Sequence, residues 1–316
     1  MLAREIAAAT SRSGLSGGLA PLTRRLASWW PGLDRGASTR FGPAPGAGDL
    51  VSFRSIGDRQ AAWSAARIEA MHLIWGAGFT VPGGERYARK LLGALTLSSK
   101  KSVLDLFAGT GGTARALARQ HKLRMDAIEP IAELAAEGQS LSAAQGLGKR
   151  VAITPIDATH FELTPQRYDA IYSRERLFAE PGKERILDQC TAGLKDKGQL
   201  LITDLVATRE DEASIDTAAL RRDGEEPDFW TVERYRDELE ARRFLIFLAQ
   251  DLTAEYLDQI HSAWARAMEC LAQTRPDRTQ RDLIIEEGKV WLARWLALEA
   301  GKIAFVRIYA QNGGST

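Results

Sequence analysis

The 316-residue chain reads as a doubly wound α/β protein built on a mostly parallel, seven-stranded sheet. Three observations predict this. Between about residues 100 and 204, short apolar runs alternate with helical stretches, the pattern of right-handed crossovers between parallel strands. The first run ends in a glycine-rich turn that opens a helix at once. Two late strands, separated by a helical excursion, follow the alternating part and look like an antiparallel C-terminal edge.

The elements follow in order. Residues 58–75 read as a helix, with Trp63, Ile68, Met71 and Trp75 among its apolar positions. A glycine-rich turn covers 76–84. Ala88, Leu91, Leu92 and Leu95 then fall at the i, i+3, i+4, i+7 spacing of a helix. Residues 102–106 form the first strand, followed by a Gly turn and an Ala-rich helix. The strand 125–128 leads to the helix 131–145, and 151–154 and 168–172 are further strands. A helix at 181–194 and a Lys197-Gly198 turn precede the strand 199–204. The tail holds a helix at 231–242, a strand at 244–249, and a helix capped by Thr253 that carries Tyr256, Ile260, Trp264 and Met268. A second helix covers about 281–299, and Gly301-Lys302 turns the chain into a last strand at 303–309.

The chain divides into an irregular arm (1–55), N-terminal helices with the glycine-rich turn (56–100), and the sheet domain (101–316) with its helical insertion at about 253–299. Forty-two basic and forty-one acidic side chains leave +1, so no strong field draws the chain to nucleic acid. Two cysteines, Cys190 and Cys270, exclude a disulfide framework and suit a reducing cytoplasm. No apolar run approaches the ~20 residues that span a bilayer, and residues 1–20 lack the apolar core of a secretory signal. In the arm, Leu22, Leu26, Trp29 and Trp30 share a helical face beside Arg24 and Arg25. That face is either a weak membrane-surface contact or a segment packed back on the body.

The most informative segment is Val103-Leu104-Asp105-Leu106-Phe107-Ala108-Gly109-Thr110-Gly111-Gly112. A strand runs into a turn too tight for side chains, so backbone N–H groups can approach a ligand closely. Glu129, followed by Pro130, ends the next strand 20 positions after Gly109, where a carboxylate can take both hydroxyls of a ribose. Gly109 to Ala114 also satisfies the dinucleotide pattern G-x-G-x-x-G/A. Asp105 argues against a pyrophosphate and for a cationic amino acid end. Asp157-Ala158, after the third strand, suits an adenine amino group. The late antiparallel edge is foreign to the usual dinucleotide sheet.

With those residues in place, the chain resembles the Rossmann-like class I S-adenosylmethionine-dependent methyltransferases over about residues 75–310. The resemblance implies S-adenosylmethionine as cofactor, held around Asp105, Phe107, Gly109, Gly111, Glu129, Pro130, Asp157 and Ala158. Two further segments narrow it: Trp75-Gly76-Ala77-Gly78-Phe79-Thr80-Val81-Pro82-Gly83-Gly84 and Tyr172-Ser173-Arg174-Glu175-Arg176-Leu177-Phe178. Both are similar to the lid and the Ser-Arg-Asp motif of the N-methyltransferases acting on phosphoethanolamine, sarcosine or dimethylglycine. That implies Thr80, Val81 and Arg174 in the cofactor site, with Glu175 facing methyl donor and substrate. The chain departs from the pattern at several points. Val81 stands for the lid Ser, Glu175 for the Asp, Ala179 for a following His, and Trp63 for an N-terminal Tyr. The phosphate-binding Arg and Tyr fall near Glu225 and Pro227, which argues against phosphoethanolamine.

Methyl transfer to an amine needs an unprotonated nitrogen, so Glu175 is the candidate catalytic carboxylate. The alternative is that it caps a helix or pairs with Arg174 or Arg176. Trp63 and Trp75 could cover a sulfonium or an alkylammonium, or simply pack. Trp63, Tyr172 and Tyr235 are the candidate substrate residues. His72 reads as structural sooner than catalytic, and the scattered His121, His160 and His261 suggest no metal site. The expected partner is a small or medium-sized acceptor, an amine first. The alternatives are O- or C-methylation of a lipid, quinone or natural product, and a methyltransferase-like assembly subunit without turnover. Oligomeric state is not legible.

Overall fold

The computed structural model describes residues 63–209, 215–222, 227–274 and 276–314. Seven strands make one sheet: β1 (Val103–Leu106), β2 (Met125–Glu129), β3 (Val151–Pro155), β4 (Tyr168–Arg174), β5 (Leu194–Ala207), β6 (Phe244–Asp251) and β7 (Ile303–Asn312). Their order is β3-β2-β1-β4-β5-β7-β6. The pairs among β1 to β5 are parallel. β7 runs antiparallel to both neighbours, from Gln199↔Gln311 to Ala207↔Ile303 on β5, so β6 is the outermost strand of the antiparallel edge. On β6, Leu245 and Phe247 stay exposed.

Side-chain alternation splits the core in two. Val103, Met125, Ala127, Val151 and Ile153 face one layer. Leu104, Leu106, Ile128, Ile171 and Ile202 face the other. The first layer is covered by α1 (Ala65–Trp75), α2 (Gly84–Leu91), α3 (Gly112–His121), α4 (Ala132–Ala144), α8 (Thr253–Thr274) and α9 (Arg278–Glu299). The second is covered by α5 (Lys183–Gly193) and α7 (Val232–Ala241). A four-residue α6 (Thr217–Leu220), absent from the sequence reading, is capped by Asp216.

Several boundaries differ from the sequence expectation for physical reasons. Ser64 caps α1 by accepting from the Arg67 N–H, so Trp63 precedes the helix instead of lying in it. Residues 58–62 lie outside the described residues, as do 1–55 with the Trp29-Trp30 face. α2 stops at Leu91, yet Leu92 and Leu95 remain buried beyond its end. β5 starts at Leu194, paired to Tyr168, before an interruption at Lys197 (φ 58°) and Gly198. Thr253 does not cap α8. It is the first helical residue, its N–H bonds the Asp251 carboxylate at 2.7 Å, and its hydroxyl accepts from the Phe305 N–H at 2.9 Å. Asp277 caps α9 through the Gln280 N–H, which starts that helix at Arg278.

The inserted helices α8 and α9 lock onto α1 through aromatic rings. Trp75 lies 6.0 Å from Trp264 and 4.6 Å from Trp291 between ring centroids. Trp75 is therefore a packing residue. No helix among the described residues is long and apolar enough to cross a membrane.

Candidate active site

β1 ends at the centre of the sheet, where the chain must turn sharply into α3. Phe107, Gly109 and Gly111 all take positive φ there (64°, 56° and 72°), a region that glycine enters without strain. Gly111 caps α3, and a Cβ on it would lie 2.4 Å from Cδ1 of Ile153. The loop thus presents backbone to a narrow cavity of about 60 Å³.

Three acids reach this cavity from strand ends. Asp105 is 2% exposed, and burial raises its pKa to about 7 against the opposing pull of the nearby Tyr172 hydroxyl and Arg174. Its Oδ2 makes no hydrogen bond of good geometry, and a buried carboxylate so placed at a cavity fits a cationic ligand group. Glu129 accepts from the Gly109 N–H at 2.7 Å and from the Ile131 N–H at 3.0 Å, and burial raises its pKa to about 7. Each of its oxygens retains one acceptor site, which fits two ribose hydroxyls. Glu175 follows β4 with φ 54° and donates its N–H to Thr203 O at 2.7 Å. Its Oε1 accepts from Arg174 at 3.0 Å and its Oε2 from the Tyr256 hydroxyl at 2.7 Å. Burial raises its pKa, against the pull of Arg174 and Tyr256.

The turn between α1 and α2 closes over the loop. A Cβ on Gly109 would lie 2.9 Å from Thr80 Oγ1, and one on Gly112 would lie 2.3 Å from Gly78 O. Arg174 ties the two together, donating to Thr113 Oγ1 at 3.0 Å and to Pro82 O at 3.1 Å. His72 lies behind the loop, its Nε2 3.4 Å from Thr110 Oγ1, and burial and Arg115 lower its pKa.

The cavity wall includes Trp63, Thr80, Val81, Asp105 and Phe107. It also includes Gly109, Glu129, Arg174 and Glu175. Six of the sequence candidates do not line it. Gly111 turns toward Ile153, and Pro130 lies just beyond Glu129. Asp157 is exposed and bonded to Thr159 and His160, with Ala158 buried next to it. Tyr172 is the register partner of Asp105 on β4 and is fully buried. Tyr235 donates its hydroxyl to Asp204 Oδ2 at 2.7 Å and packs on Trp230.

Other wall residues were not read from the sequence as site residues: Tyr256, Phe178, Trp291, Arg222 and Arg294. Arg222 lies 4.8 Å from the Trp63 ring, donates to Thr80 O at 3.2 Å and pairs with Glu287 at 3.1 Å. Glu287 is fully buried and also takes Arg67 and the Trp291 indole N–H. Arg294 stands over the rings of Phe178 and Trp291 and donates to Leu220 O. One signal was available for it. Trp291, Arg294, Trp295 and Leu298 share the buried face of α9, and an arginine in such a stripe is unusual.

Residues 103–198 match the family of methyltransferase domains. The chain is 26% identical over 124 residues to a glycine/sarcosine/dimethylglycine N-methyltransferase of Actinopolyspora halophila, a match covering 39% of this chain and 22% of that protein. The chain thus spans about a fifth of that relative's length. It is 25% identical over 198 residues to a phosphoethanolamine N-methyltransferase of Plasmodium falciparum, covering 61% of this chain and 71% of the relative. Among solved structures, phosphoethanolamine N-methyltransferase 2 of Haemonchus contortus, in complex with phosphomonomethylethanolamine and S-adenosylhomocysteine, superposes with a TM-score of 0.70. That likeness has 18% identity and covers 83% of this chain and 61% of the other, and it speaks to the fold.

Proposed function

We infer that this chain, whose residues 103–198 form a methyltransferase domain on a class I sheet, transfers a methyl group from S-adenosylmethionine to the nitrogen of a small amine that carries an anionic group. One observation carries the reading. The glycine loop with Asp105 and Glu129, the carboxylate of Glu175, and an aromatic chamber with Arg222 and Arg294 all open into a single cavity.

When bound, S-adenosylmethionine supplies a methyl carbon on a sulfonium, whose S–C bond breaks as the new N–C bond forms. Asp105 would hold the amino end, Glu129 the ribose, and Arg174 the carboxylate end together with the turn above it. Trp63, Phe178, Tyr256 and Trp291 exclude water from the acceptor end and fix the line of approach. The amine attacks only as a free base, and Glu175 takes its proton.

The named relatives act on amines that bear a carboxylate or a phosphate. Arg222 and Arg294 line the same end of the cavity, which supports an anionic group on the acceptor. Glu225, which argued against a phosphate, lies outside the described residues. A reducing, cytoplasmic setting belongs to the same reading and is supported by the two free thiols, Cys190 and Cys270.

The test is calorimetric titration with S-adenosylmethionine, S-adenosylhomocysteine and NADH, followed by an acceptor screen. Binding of the first two, then transfer to amino acid or phosphorylated amines with a KM raised in Arg222→Met, is the expected result. Binding of NADH alone, or transfer only to uncharged acceptors, would overturn it.

A further inference from the structure

We propose that Tyr256 is a positioning residue for methyl transfer: its hydroxyl, donated to Oε2 of Glu175, holds that carboxylate ionised and aimed into the acceptor end of the cavity. The inference rests on the role given to Glu175 above.

The placement of Tyr256 is tightly determined. It lies in the first turn of α8, whose start is pinned to β7 by the Leu252 N–H on Phe305 O at 2.8 Å and the Phe305 N–H on Thr253 Oγ1 at 2.9 Å. Its ring stacks on Phe305 at 3.9 Å, with 12° between the planes. The ring is fully buried, yet Tyr256 lines the cavity beside Glu175. A hydroxyl has one hydrogen to give. Given to Glu175, it leaves the oxygen's lone pairs for an N–H of the acceptor. The carboxylate is thereby held next to the nitrogen whose proton it must take.

The surroundings of Glu175 explain why one hydroxyl matters. From β4, Arg174 pairs with its Oε1. From α9, Arg294 adds a more distant positive charge. From α2, the Tyr87 hydroxyl faces the carboxylate without a hydrogen bond of its own. From α8 comes Tyr256, whose own pKa is raised well above 10 by burial and by Glu175, so it stays a neutral donor. Burial drives Glu175 toward the protonated form, and Arg174, Tyr256 and Arg294 oppose this. Tyr256 supplies the one neutral hydrogen bond in that opposition. Removing it frees Oε2 in a site water does not readily reach, and the carboxylate becomes harder to ionise.

Tyr256→Phe keeps the ring on Phe305 and removes only the hydroxyl. The Glu175 carboxyl is followed by 13C resonance in protein labelled at glutamate, with the signal assigned by its loss in Glu175→Gln. Its titration midpoint should rise by about one unit or more in Tyr256→Phe. The acid limb of the kcat profile should move by the same amount. On that acid limb turnover should fall about tenfold, recover as the pH is raised, and leave S-adenosylmethionine affinity unchanged. Tyr87→Phe is the control, since its hydroxyl makes no bond to Glu175, and it should leave the midpoint in place. An unmoved midpoint in Tyr256→Phe, or an equal shift in Tyr87→Phe, overturns the proposal whatever the turnover. A lower melting temperature with an unmoved midpoint would show a merely structural bond and also overturn it. A shifted midpoint in a protein that methylates no amine would support the positioning and overturn the transfer reading instead.

Discussion

The backbone N–H of Gly109 donates to Oε2 of Glu129 at 2.7 Å, which fastens the loop after β1 to the end of β2. The second oxygen takes the N–H of Ile131 and so fixes the start of α4. One carboxylate therefore holds two walls of the cavity and has remaining lone pairs to offer a ligand. Glu129→Ala should lose S-adenosylmethionine affinity by roughly a hundredfold or more, because charge-assisted hydrogen bonds contribute ~1.5–3 kcal/mol each. Glu175→Ala should leave that affinity almost intact while slowing transfer. Calorimetry on both variants separates the roles, and near-normal binding by Glu129→Ala would refute the assignment.

Glu129, Asp105 and the glycine loop were legible in the sequence because local chain geometry fixes them. A strand, a tight turn and a helix leave few alternatives to what residues 103–112 can do. The end of the cavity proposed for the acceptor was not legible, because its side chains arrive from distant segments. Arg222 comes from the connection after β5, Tyr256 from α8, and Arg294 from α9, and only tertiary packing brings them together. The two tryptophans of the first helical stretch show the same limit. Ser64 caps the helix between them, so Trp63 reaches the cavity while Trp75 turns into the core. Sequence periodicity alone could not separate them.

Gly112 occupies the first position of α3, where alanine is the better helix former by about 1 kcal/mol. Packing should reverse that preference. A Cβ there would lie 2.3 Å from Gly78 O and 2.8 Å from the Phe79 ring. Gly112→Ala should therefore lift the turn at 76–84 off the loop, weaken S-adenosylmethionine binding and open that turn to limited proteolysis. Unchanged affinity together with unchanged proteolysis would show that the turn does not depend on this contact.

Tyr235 is 0% exposed and its hydroxyl meets Asp204 at 2.7 Å, away from the cavity wall. The Tyr235 hydroxyl is the leading partner of this buried acid, ahead of the Lys183 charge and the backbone of Phe178 and Leu205. Tyr235→Phe should destabilise the fold by about 1–3 kcal/mol, as expected for a buried acceptor left unpaired. The acceptor KM should not change. Denaturant titration and steady-state kinetics read the two effects separately, and a raised KM in a variant of normal stability would return Tyr235 to the substrate pocket.

Asp105, Glu129 and Asp204 are all buried, and burial raises the pKa of each to about 7 from ordinary values of 3.8, 4.5 and 3.8. Between those values and about 7, the unfolded chain has released protons that the folded chain still holds. Stability must then fall as the pH rises through this window. His72 opposes the trend, since burial and Arg115 lower its pKa, but it is one group against these three and Glu175, which burial also raises. Burial acts on Asp169 as well, yet its bonds to Lys195, Ser102 and Lys101 outweigh it and hold its pKa below the usual range, so its contribution falls in more acidic solution. The ligand-free protein should therefore melt lower at pH 8 than at pH 5, by roughly 5 °C or more. On the proposed function, bound S-adenosylmethionine would place a positive amino group beside Asp105 and hydroxyl donors on Glu129, which would favour the ionised forms. Its presence should flatten the slope, leaving the remainder to Asp204 and Glu175. Melting temperatures across that range, with and without the cofactor, would contradict this account if the ligand-free protein gained stability as the pH rose.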